Sequence, residues 1–505
     1  MMPLRRRTLL ASAASLAATS TFADTPKSSG TLVVGIDDDA KTFNPALSVQ
    51  LSERQVLHCV YNTLLAIDVD FSVKPELARS WTVEKDGLRY VFQLAPGVKF
   101  HDGTEFDAAA VKWNIEHRLD PANASPQRSL LGPVVASVEV VGPLTVAFNL
   151  KAPHPALLSD IADRSGFMMS PAGFAKHGAD FGRNPVGTGA FRFKSWTQGS
   201  AIELVRNPDY WEKGLPYLDG IVFRDIPNHV IGLQRMSVGE IDIITSLSPD
   251  DLRQIETSAA FTIQQARVGR WYSLQWQVDK PPFNNAKLRQ AVAYALDRKR
   301  LNDLTMRGRA VISNGPTPPG LWWSSPDALV YDYSPEKARA LLQEAGIAPG
   351  TTLPLSVSSD LVLRKIDQLV VEQLAAVGLT AQLQPVSEAE SYARVVSRAI
   401  NFTPISWTQR ADPDGLLFIL FHSKGFANTT GYSNPEVDKR LDEARQLLDQ
   451  ERRKTIYAEV KTLIQQDLPY VSLFFAAEYA AFGKSVNGFV WPPDQIPRYR
   501  RVWKA

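Results

Sequence analysis

Few residue patterns in this sequence could carry out catalysis. Ser334-Pro335-Glu336-Lys337 has the Ser-x-x-Lys spacing of penicillin-binding enzymes, but neither Ser-Asp-Asn nor Lys-Thr-Gly follows it. A serine directly before a proline also begins helices well, because its side chain caps the first turn. The sequence contains no His-Glu-x-x-His zinc motif, no Gly-x-Ser-x-Gly elbow and no Gly-x-x-x-x-Gly-Lys phosphate loop. We therefore expect a helix cap at Ser334 and a protein that is not an enzyme.

Metal and redox chemistry are equally poorly supported. Cys59 is the single cysteine, which excludes an intramolecular disulfide and a multi-cysteine metal site, and the seven His are scattered. Asp37-Asp38-Asp39 could suggest a cation site, but adjacent carboxylates on an extended chain point to alternating faces, so solvated loop charge is expected. His101 precedes the turn dipeptide Asp102-Gly103 and is expected to be a surface or hydrogen-bonding residue. The sequence predicts neither a metal site nor a cofactor.

Aromatic residues are abundant, with 11 Trp, 14 Tyr and 23 Phe. Several lie beside Pro, Gly or charged residues and outside helical stripes, among them Trp322-Trp323 and Trp407. Each could fill a core, but flat rings at loop ends also line clefts that hold organic ligands at low entropic cost. The 55 Lys and Arg against 53 Asp and Glu give no strong field for nucleic acid or an anionic membrane. Composition therefore favours a binder of small solutes.

The elements that must position these residues alternate between strands and helices. Ser334-Pro335 and Asn434-Pro435 predict two capped helices, and an apolar stripe from Ile366 to Leu374 predicts a third helix, followed by a strand at 381–383. This alternation indicates an α/β fold class. Runs rich in β-branched and aromatic residues predict strands that include 31–36, 90–94, 145–150, 202–205, 221–224, 241–245, 271–278 and 470–475.

Residues 1–23 have the features of an export signal. Arg5-Arg6-Arg7 forms a basic start, residues 9–18 are apolar, and Thr21-Phe22-Ala23 resembles a cleavage site. The apolar run is shorter than the roughly 20 residues of a spanning helix, which argues against a membrane-spanning protein. The arginine run resembles a twin-arginine signal, with the general secretory route as the alternative, and no cysteine near the cleavage site could carry a lipid. We expect a periplasmic protein that is not a lipoprotein.

Ten short strings, in order along the chain, resemble one known family. The most diagnostic is Gly97-Val98-Lys99-Phe100-His101-Asp102-Gly103-Thr104, and Arg206-Asn207-Pro208-Asp209-Tyr210-Trp211 is another. The chain resembles the family 5 extracellular solute-binding proteins, the dipeptide, oligopeptide and nickel-type periplasmic receptors of ABC importers. The remaining strings lie at 40–46, 75–81, 86–92, 185–191, 239–242, 282–283, 288–291 and 295–297.

The resemblance implies a two-lobe periplasmic-binding-protein fold of the large, three-subdomain type, with a cleft between the lobes. Matching strings places the first lobe at 24–268 and 480–505, an inserted subdomain at about 62–184, and the second lobe at 269–479. It further implies hinge closure around a peptide or peptide-like solute and delivery to an ABC permease and ATPase subunits that are separate chains. A monomer without nucleic-acid partners is expected.

The candidate ligand contacts come from three places in the sequence. Thr42, Phe43 and Asn44 follow the first predicted strand, which would put them at the mouth of an open α/β sheet. Trp322-Trp323 are candidate stacking walls. The third place is a segment with the candidates Trp407, Gln409, Arg410 and Asp412, where peptide-binding relatives carry an acidic residue for the amino terminus of the ligand.

That acidic residue is missing here, which puts recognition of a free amine in doubt. The guanidinium of Arg410 could bind an acid group of the ligand bidentately, or it could pair with Asp412 or Asp414. Asp412 could hold an amine, or it could only shape the turn before Pro413. The alternative ligands are non-peptide acidic solutes that are glutathione-like or opine-like. A secreted hydrolase, and a chaperone-like or signalling receptor on the same fold, are the further alternatives.

Overall fold

The structure is a computed structural model of the chain. It describes residues 26–226, 228–266, 269–357, 361–386, 394–395, 397–399, 401–492 and 494–505. The predicted export signal at 1–23 lies outside the described residues. No helix in the described part of the chain is long and apolar enough to cross a membrane.

The first sheet has seven strands, with Thr31–Ile36 inside it and parallel to both of its neighbours. Leu32, Val34 and Ile36 of this strand are buried, as expected for a strand covered on both faces. The late strand Tyr479–Gly483 returns to this sheet, between strands Ile243–Leu247 and Phe261–Gln265. Across the sheet the order is Phe261–Gln265, Tyr479–Gly483, Ile243–Leu247, Thr31–Ile36, Gly220–Asp225, Ala201–Arg206 and Phe191–Thr197.

The second sheet has four antiparallel strands and its own apolar core. Its first two strands are joined at Asp86-Gly87, where Gly87 has φ of +93°, a conformation that a residue without Cβ adopts freely. Helix Ala108–Leu119 packs against this sheet and begins at Asp107, whose side chain accepts a hydrogen bond from the backbone N–H of Ala110. The strand order is Ala78–Glu84, Arg89–Leu94, Thr145–Leu150 and Val135–Gly142.

The third sheet belongs to the second half of the chain. Its strand order is Val311–Ile312, Tyr470–Ala476, Arg270–Trp276 and Phe402–Trp407. Tyr470–Ala476 is buried along its whole length, which makes it the centre of this part of the core. Beside the sheet, a parallel pair, Thr351–Val357 and Leu379–Pro385, is connected through helix Leu361–Ala375, as parallel strands require a crossover.

Helices and short elements complete the described chain. The α-helices not yet given are Leu51–Val60, Arg128–Leu131, Leu157–Asp160, Pro171–His177, His229–Ser237, Pro249–Leu252, Ala286–Ala295, Arg298–Met306, Pro335–Glu344, Ile419–Phe421, Pro435–Ala444 and Gln450–Asp467. The 3₁₀ turns are Lys85–Gly87, Pro121–Asn123, Arg164–Gly166 and Gly178–Arg183, and Asp414–Phe418 is a π-helical turn. Two short strand pairs are Leu65–Ile67 with Val73–Pro75, and Val486–Asn487 with Trp503–Lys504.

Most of the elements predicted from sequence are present. Strand Thr31–Ile36 has the predicted bounds, whereas the strand predicted at 241–245 begins two residues later, at Ile243. Ser334 caps helix Pro335–Glu344 by accepting the backbone N–H of Lys337, and Asn434 caps the helix that follows it. The predicted caps are confirmed because each depends only on a side chain and the turn directly after it.

The structure contradicts the expectation that the acidic run 37–39 is solvated loop charge. Asp39 accepts a hydrogen bond of 2.9 Å from Nε1 of Trp196, and Asp37 lies 2.9 Å from Nε2 of His229. Burial alone would lower the pKa of His229, but Asp251 and Asp37 raise it to about 10. The prediction of solvated loop charge is therefore wrong for these two carboxylates, because residues distant in sequence fold back onto them.

The Gly187-Thr188-Gly189 turn packs against the end of helix Leu51–Val60. A Cβ on Gly187 would lie 2.2 Å from the carbonyl oxygen of Val60, so only glycine fits this approach. His101 contacts the same turn, with Nε2 2.9 Å from the carbonyl oxygen of Gly189, which confirms it as a hydrogen-bonding residue. The turn fixes the position of this helix, which carries two residues of the candidate site described below.

Candidate functional site

The candidate site is built around the segment 408–413, which leaves strand Phe402–Trp407 of the third sheet. Within it, Gln409 is only 3% exposed. Neither Oε1 nor Nε2 of its amide has a hydrogen-bond partner among the described residues. An unbonded buried amide destabilises a protein by about 1–3 kcal/mol. Such a group is typical of a site whose partner is a ligand or water.

Arg410 is the neighbouring cation, and its guanidinium donates a 2.7 Å hydrogen bond to Oγ1 of Thr408. Among the described residues, no carboxylate lies within ion-pair distance of it. Burial lowers the pKa of Arg410, while Asp163 acts in the opposite direction. Asp163 belongs to the first half of the chain. The charge of Arg410 therefore interacts with a carboxylate outside its own sheet.

Arg410 belongs to an arginine-rich cluster, which we define as the four arginines whose charges act on Asp163: Arg54, Arg164, Arg410 and Arg498. Arg54, on helix Leu51–Val60, forms an ion pair with Asp163. Burial alone would raise the pKa of Asp163, but Arg54 and then the other three arginines lower it to about 2. Asp163 is therefore ionised at neutral pH, and the positive charges around it exceed its own.

Arg164 makes no hydrogen bond or ion pair among the described residues, and its Nε is buried without a partner. It is half-buried and opens the 3₁₀ turn Arg164–Gly166. Burial first, and then Arg54, lower the pKa of Arg164 to about 9. Arg164 thus remains a cation at neutral pH and has no direct counter-ion. Arg498, in contrast, forms a bidentate ion pair with Asp494.

His58 lies one helical turn after Arg54 on the same helix, so both can face the same side. Its Nε2 is buried and has no partner among the described residues. Burial, followed by Arg498 and Arg54, holds the pKa of His58 well below its usual value. The imidazole is therefore neutral at neutral pH and adds a polar atom without adding charge.

Asp412 has a different role from its neighbours in the segment. Its two carboxylate oxygens accept hydrogen bonds of 2.8 and 2.6 Å from the guanidinium of Arg453, which also donates to the hydroxyl of Tyr457. Asp414 lies 3.0 Å from Nε of Arg445. Each carboxylate is thus paired with a different arginine of the C-terminal helical region. The alternative in which Arg410 pairs with Asp412 or Asp414 is not what the structure shows.

The predicted tryptophans occupy different environments. Trp407 is half-buried, pairs with Trp271 in the third sheet, and its buried Nε1 has no partner among the described residues. Trp322 is half-buried, edge-on to Tyr457, and its Nε1 lies 3.4 Å from the carbonyl oxygen of Ala411. Trp323 is fully buried in the same apolar cluster. The structure thus brings Trp407 and Trp322 to the segment, and Trp323 to the core behind it.

Thr42, Phe43 and Asn44 form a self-bonded turn after the first strand. Phe43 is fully buried and packs against Trp196, with ring centroids 4.7 Å apart. Oγ1 of Thr42 accepts the backbone N–H of Asn44. The backbone N–H of Thr42 donates to Glu53 on helix Leu51–Val60. The turn is therefore tied to the helix that carries Arg54 and His58, and no contact with Gln409 or Arg410 is seen.

Sequence reasoning missed Arg54, His58, Asp163, Arg164 and Arg498. One local signal existed, since Arg54 and His58 stand four residues apart, the spacing that puts two side chains on one face of a helix. Which of the 55 Lys and Arg lack a counter-ion depends on long-range packing, and no local pattern marks them. Among the described residues, no group of three His, Cys, Asp or Glu is arranged to hold a metal ion.

Comparison with known proteins identifies the family. Residues 72–428 match the model of bacterial extracellular solute-binding proteins, family 5 Middle. The glutathione-binding protein GsiB of Pectobacterium atrosepticum is 30% identical over 477 residues, covering 92% of each chain. The same protein of Salmonella paratyphi A is 30% identical over 480 residues, again covering 92% of each chain.

Solved structures show the same fold. The oligopeptide-binding protein AppA from Bacillus subtilis, in complex with a nonapeptide, has a TM-score of 0.84 at 25% identity and covers 95% of this chain and 100% of its own. AgaA from A. tumefaciens R10, in complex with agropinic acid, has a TM-score of 0.83 at 25% identity, covering 94% and 99%. The chain therefore belongs to family 5 of the bacterial extracellular solute-binding proteins, which confirms the predicted two-lobe α/β fold and the predicted role as a binding protein of an ABC importer.

Proposed function

We propose that this protein captures a peptide or a peptide-like solute in the cleft between its lobes and delivers it to a membrane permease. The first lobe comprises 24–268 and 480–505, with an inserted subdomain at about 62–184, and the second lobe comprises 269–479. The return of strand Tyr479–Gly483 to the first sheet supports this division. The start of the third sheet at Arg270–Trp276 supports it as well. Ligand contacts with both lobes would stabilise the closed form.

The observation that carries this proposal is the unbonded, buried amide of Gln409. A side-chain amide offers one acceptor oxygen and two donor hydrogens, which complement the N–H and C=O of a peptide group. A bound peptide backbone would complete the hydrogen bonds that the described residues leave open around Gln409. Trp407 and Trp322 flank the same segment and would supply flat apolar walls.

The relatives support this ligand class. Curated relatives at 30% identity are named for glutathione, and among the similar solved structures one holds a nonapeptide and another agropinic acid. The curated relatives are named as binding proteins, not as enzymes. We propose that the chain binds its solute without chemical conversion and acts as a monomer. We further propose that residues 1–23 direct it to the periplasm through the twin-arginine route and that it carries no lipid.

A matched pair of glutamine variants tests the proposal. Gln409→Leu removes the unbonded amide, and we expect the affinity for a peptide probe, reduced glutathione or trialanine, to fall about tenfold because a hydrogen-bond pair is lost. The free energy of unfolding should stay constant or rise, since no protein hydrogen bond is broken. Isothermal titration calorimetry and urea unfolding measure the two quantities.

Gln465→Leu is the control, because Gln465 is equally buried but fully bonded. Its Nε2 donates to Asn314 and Asp327, and its Oε1 accepts the backbone N–H groups of Ala328 and Leu329. This variant should lose about 1–3 kcal/mol of stability and keep its affinity for the probe. Unchanged probe affinity in Gln409→Leu would remove Gln409 from the site.

A further inference from the structure

Phe71 is a buried aromatic residue at the tip of a hairpin loop. The hairpin pairs strand Leu65–Ile67 with strand Val73–Pro75. Phe71 is only 5% exposed, whereas its loop neighbours Val69 and Asp70 are exposed. Residues at a loop tip normally contact water, so a buried ring there must be covered by another part of the chain.

The residues that cover Phe71 come from the second half of the chain. Phe71 belongs to an apolar cluster whose other buried members, among the described residues, all lie between Trp271 and Phe475. Trp322 and Trp407, the proposed flat walls of the site, pack against the same cluster. A hairpin of the proposed first lobe therefore contributes an aromatic ring to the core of the proposed second lobe.

A second hairpin of the proposed first lobe also approaches the proposed second lobe, but without a buried ring. Gly87 lies in the turn between strands Ala78–Glu84 and Arg89–Leu94, and a Cβ on it would lie 3.3 Å from Cδ2 of Leu448. Leu448 remains 48% exposed. Because apolar stabilisation is proportional to the area removed from water, Phe71 contributes more to the contact between the lobes than Gly87 does.

The backbone of Phe71 has the left-handed conformation, with φ of +66°. Arg307 and Leu468 have similar φ values, but both end helices, where this conformation is common. At Phe71 the conformation belongs to the loop, in which the backbone N–H of Phe71 donates to the carbonyl oxygen of Asp68 at 3.0 Å. Bulky residues rarely adopt it, and such strain persists where the surrounding structure enforces it. Glycine would adopt this conformation more easily, so we attribute the phenylalanine here to the packing of its ring.

We propose that the ring of Phe71 inserts into the apolar cluster of the second lobe when the lobes close, and that this insertion holds the closed form. The inference rests on the proposed function and adds a positioning residue to it. Removing a phenylalanine ring from water favours closure whatever the chemistry of the ligand. A ligand that binds the closed form gains affinity as that form becomes more populated. Phe71 thus acts through the position of the lobes and not through contact with the ligand.

The test measures how Phe71→Ala binds two chemically different probes, reduced glutathione and trialanine. The affinity for both should fall by the same factor, about 10- to 100-fold, because the ring burial is lost whichever probe is bound. The loss should appear chiefly as faster dissociation, which stopped-flow tryptophan fluorescence measures. Small-angle X-ray scattering of the variant with excess probe should show a larger radius of gyration than that of the unaltered protein. Phe71→Leu keeps an apolar side chain and should recover most of the affinity.

Val69→Ala is the matched control, because it truncates a side chain of the same loop that is 43% exposed. It should change neither the affinity nor the radius of gyration. Without probe, Phe71→Ala should unfold at the same temperature as the unaltered protein, since its ring is exposed in the open form. Unchanged affinity in Phe71→Ala, a loss confined to one probe, or a lower unfolding temperature without probe overturns the inference and leaves the proposed function standing. Failure of the unaltered protein to bind either probe overturns both.

Discussion

The two halves of segment 408–413 differ in whether their polar side chains find hydrogen-bond or ion-pair partners within the protein. Within the described part of the chain, the side chains of Gln409 and Arg410 have no hydrogen-bond partner beyond Thr408 and a neighbouring carbonyl oxygen. Three residues later, Asp412 is bound through both oxygens by Arg453. All of these side chains are at least half-buried and all are polar. The difference separates a residue that stabilises the fold from residues that we propose as ligand contacts.

The comparison teaches that burial and polarity alone do not identify a ligand contact. Asp412 and Gln409 were both candidates from sequence, and both are almost fully buried. The completed ion pair makes Asp412 part of the connection between the segment and helix Gln450–Asp467. The open amide of Gln409 has no such connection. Substitutions should therefore affect stability at Asp412 and binding at Gln409.

The largest expected effect is on the stability of Asp412→Ala. This variant leaves the buried guanidinium of Arg453 with only Tyr457 and a backbone oxygen, and breaking a buried pair from one side typically destabilises by about 3–5 kcal/mol. Urea unfolding without ligand measures the change. Arg410→Ala, in the other half of the segment, should change stability by less than about 1 kcal/mol. Equal losses in the two variants would contradict the division of the segment.

A smaller effect, with a defined pH dependence, is expected for Asp414→Asn. Burial raises the pKa of Asp414 to about 6 although Arg445 opposes the shift. Because this folded-state pKa lies above the unfolded value, the stabilising contribution of the protonated carboxyl is complete below about pH 4 and is lost as pH rises through about 6. Over this range, the free energy of unfolding of the wild-type protein falls by roughly 2–3 kcal/mol relative to a variant whose side chain at position 414 does not titrate.

The difference in unfolding free energy between Asp414→Asn and wild type should therefore grow in favour of the variant from pH 4 to pH 7. Urea unfolding at several pH values measures it. Asp250→Asn is the control, because hydrogen bonds from Lys365 and Arg307 lower the pKa of Asp250 and no such gain is expected. If the variant instead becomes less stable than wild type as pH rises, the stabilisation by the ion pair with Arg445 exceeds the destabilisation that burial causes for the ionised carboxylate.

Local signals in the sequence predicted much of the fold. The caps at Ser334 and Asn434 depend on a few adjacent residues, and both are present. The partners of Asp37 and Asp39 come from residues far along the chain, and the expectation for these carboxylates was wrong. Local chemistry determines caps and turns, whereas these side-chain contacts depend on how distant segments of the chain pack.

The candidate site likewise contains residues that the local sequence marks and residues that only folding brings together. Gln409 and Arg410 could be selected from sequence because the segment departs from the acidic residue of the family it resembles. Arg54 and Arg164 could not, because they come from a helix and a turn that are far apart in sequence and meet only after folding. Whether an arginine has a counter-ion is a property of the folded chain.

The smallest expected effect concerns surface charges that would link the two proposed lobes. Asp250, beside the first sheet, lies 2.8 Å from Nε of Arg307 and also pairs with Lys365, and both of these residues fall within the proposed second lobe. All three side chains are at least a third exposed, so each pair is worth about 0–1 kcal/mol and is screened by salt. In contrast to the buried pair of Asp412, these contacts should favour lobe closure only weakly.

Asp250→Asn should therefore weaken the affinity for a bound peptide probe by at most about fivefold at low ionic strength, since about 1 kcal/mol corresponds to that factor. At about 1 M salt, where the Debye length falls to about 3 Å, the variant and wild type should bind equally. Calorimetry at the two salt concentrations checks this. An affinity loss as large as that of Gln409→Leu, or one that persists at high salt, would mean that surface charges contribute to closure as strongly as the buried site. In that case the contrast between bonded and unbonded polar groups would no longer explain the ligand affinity.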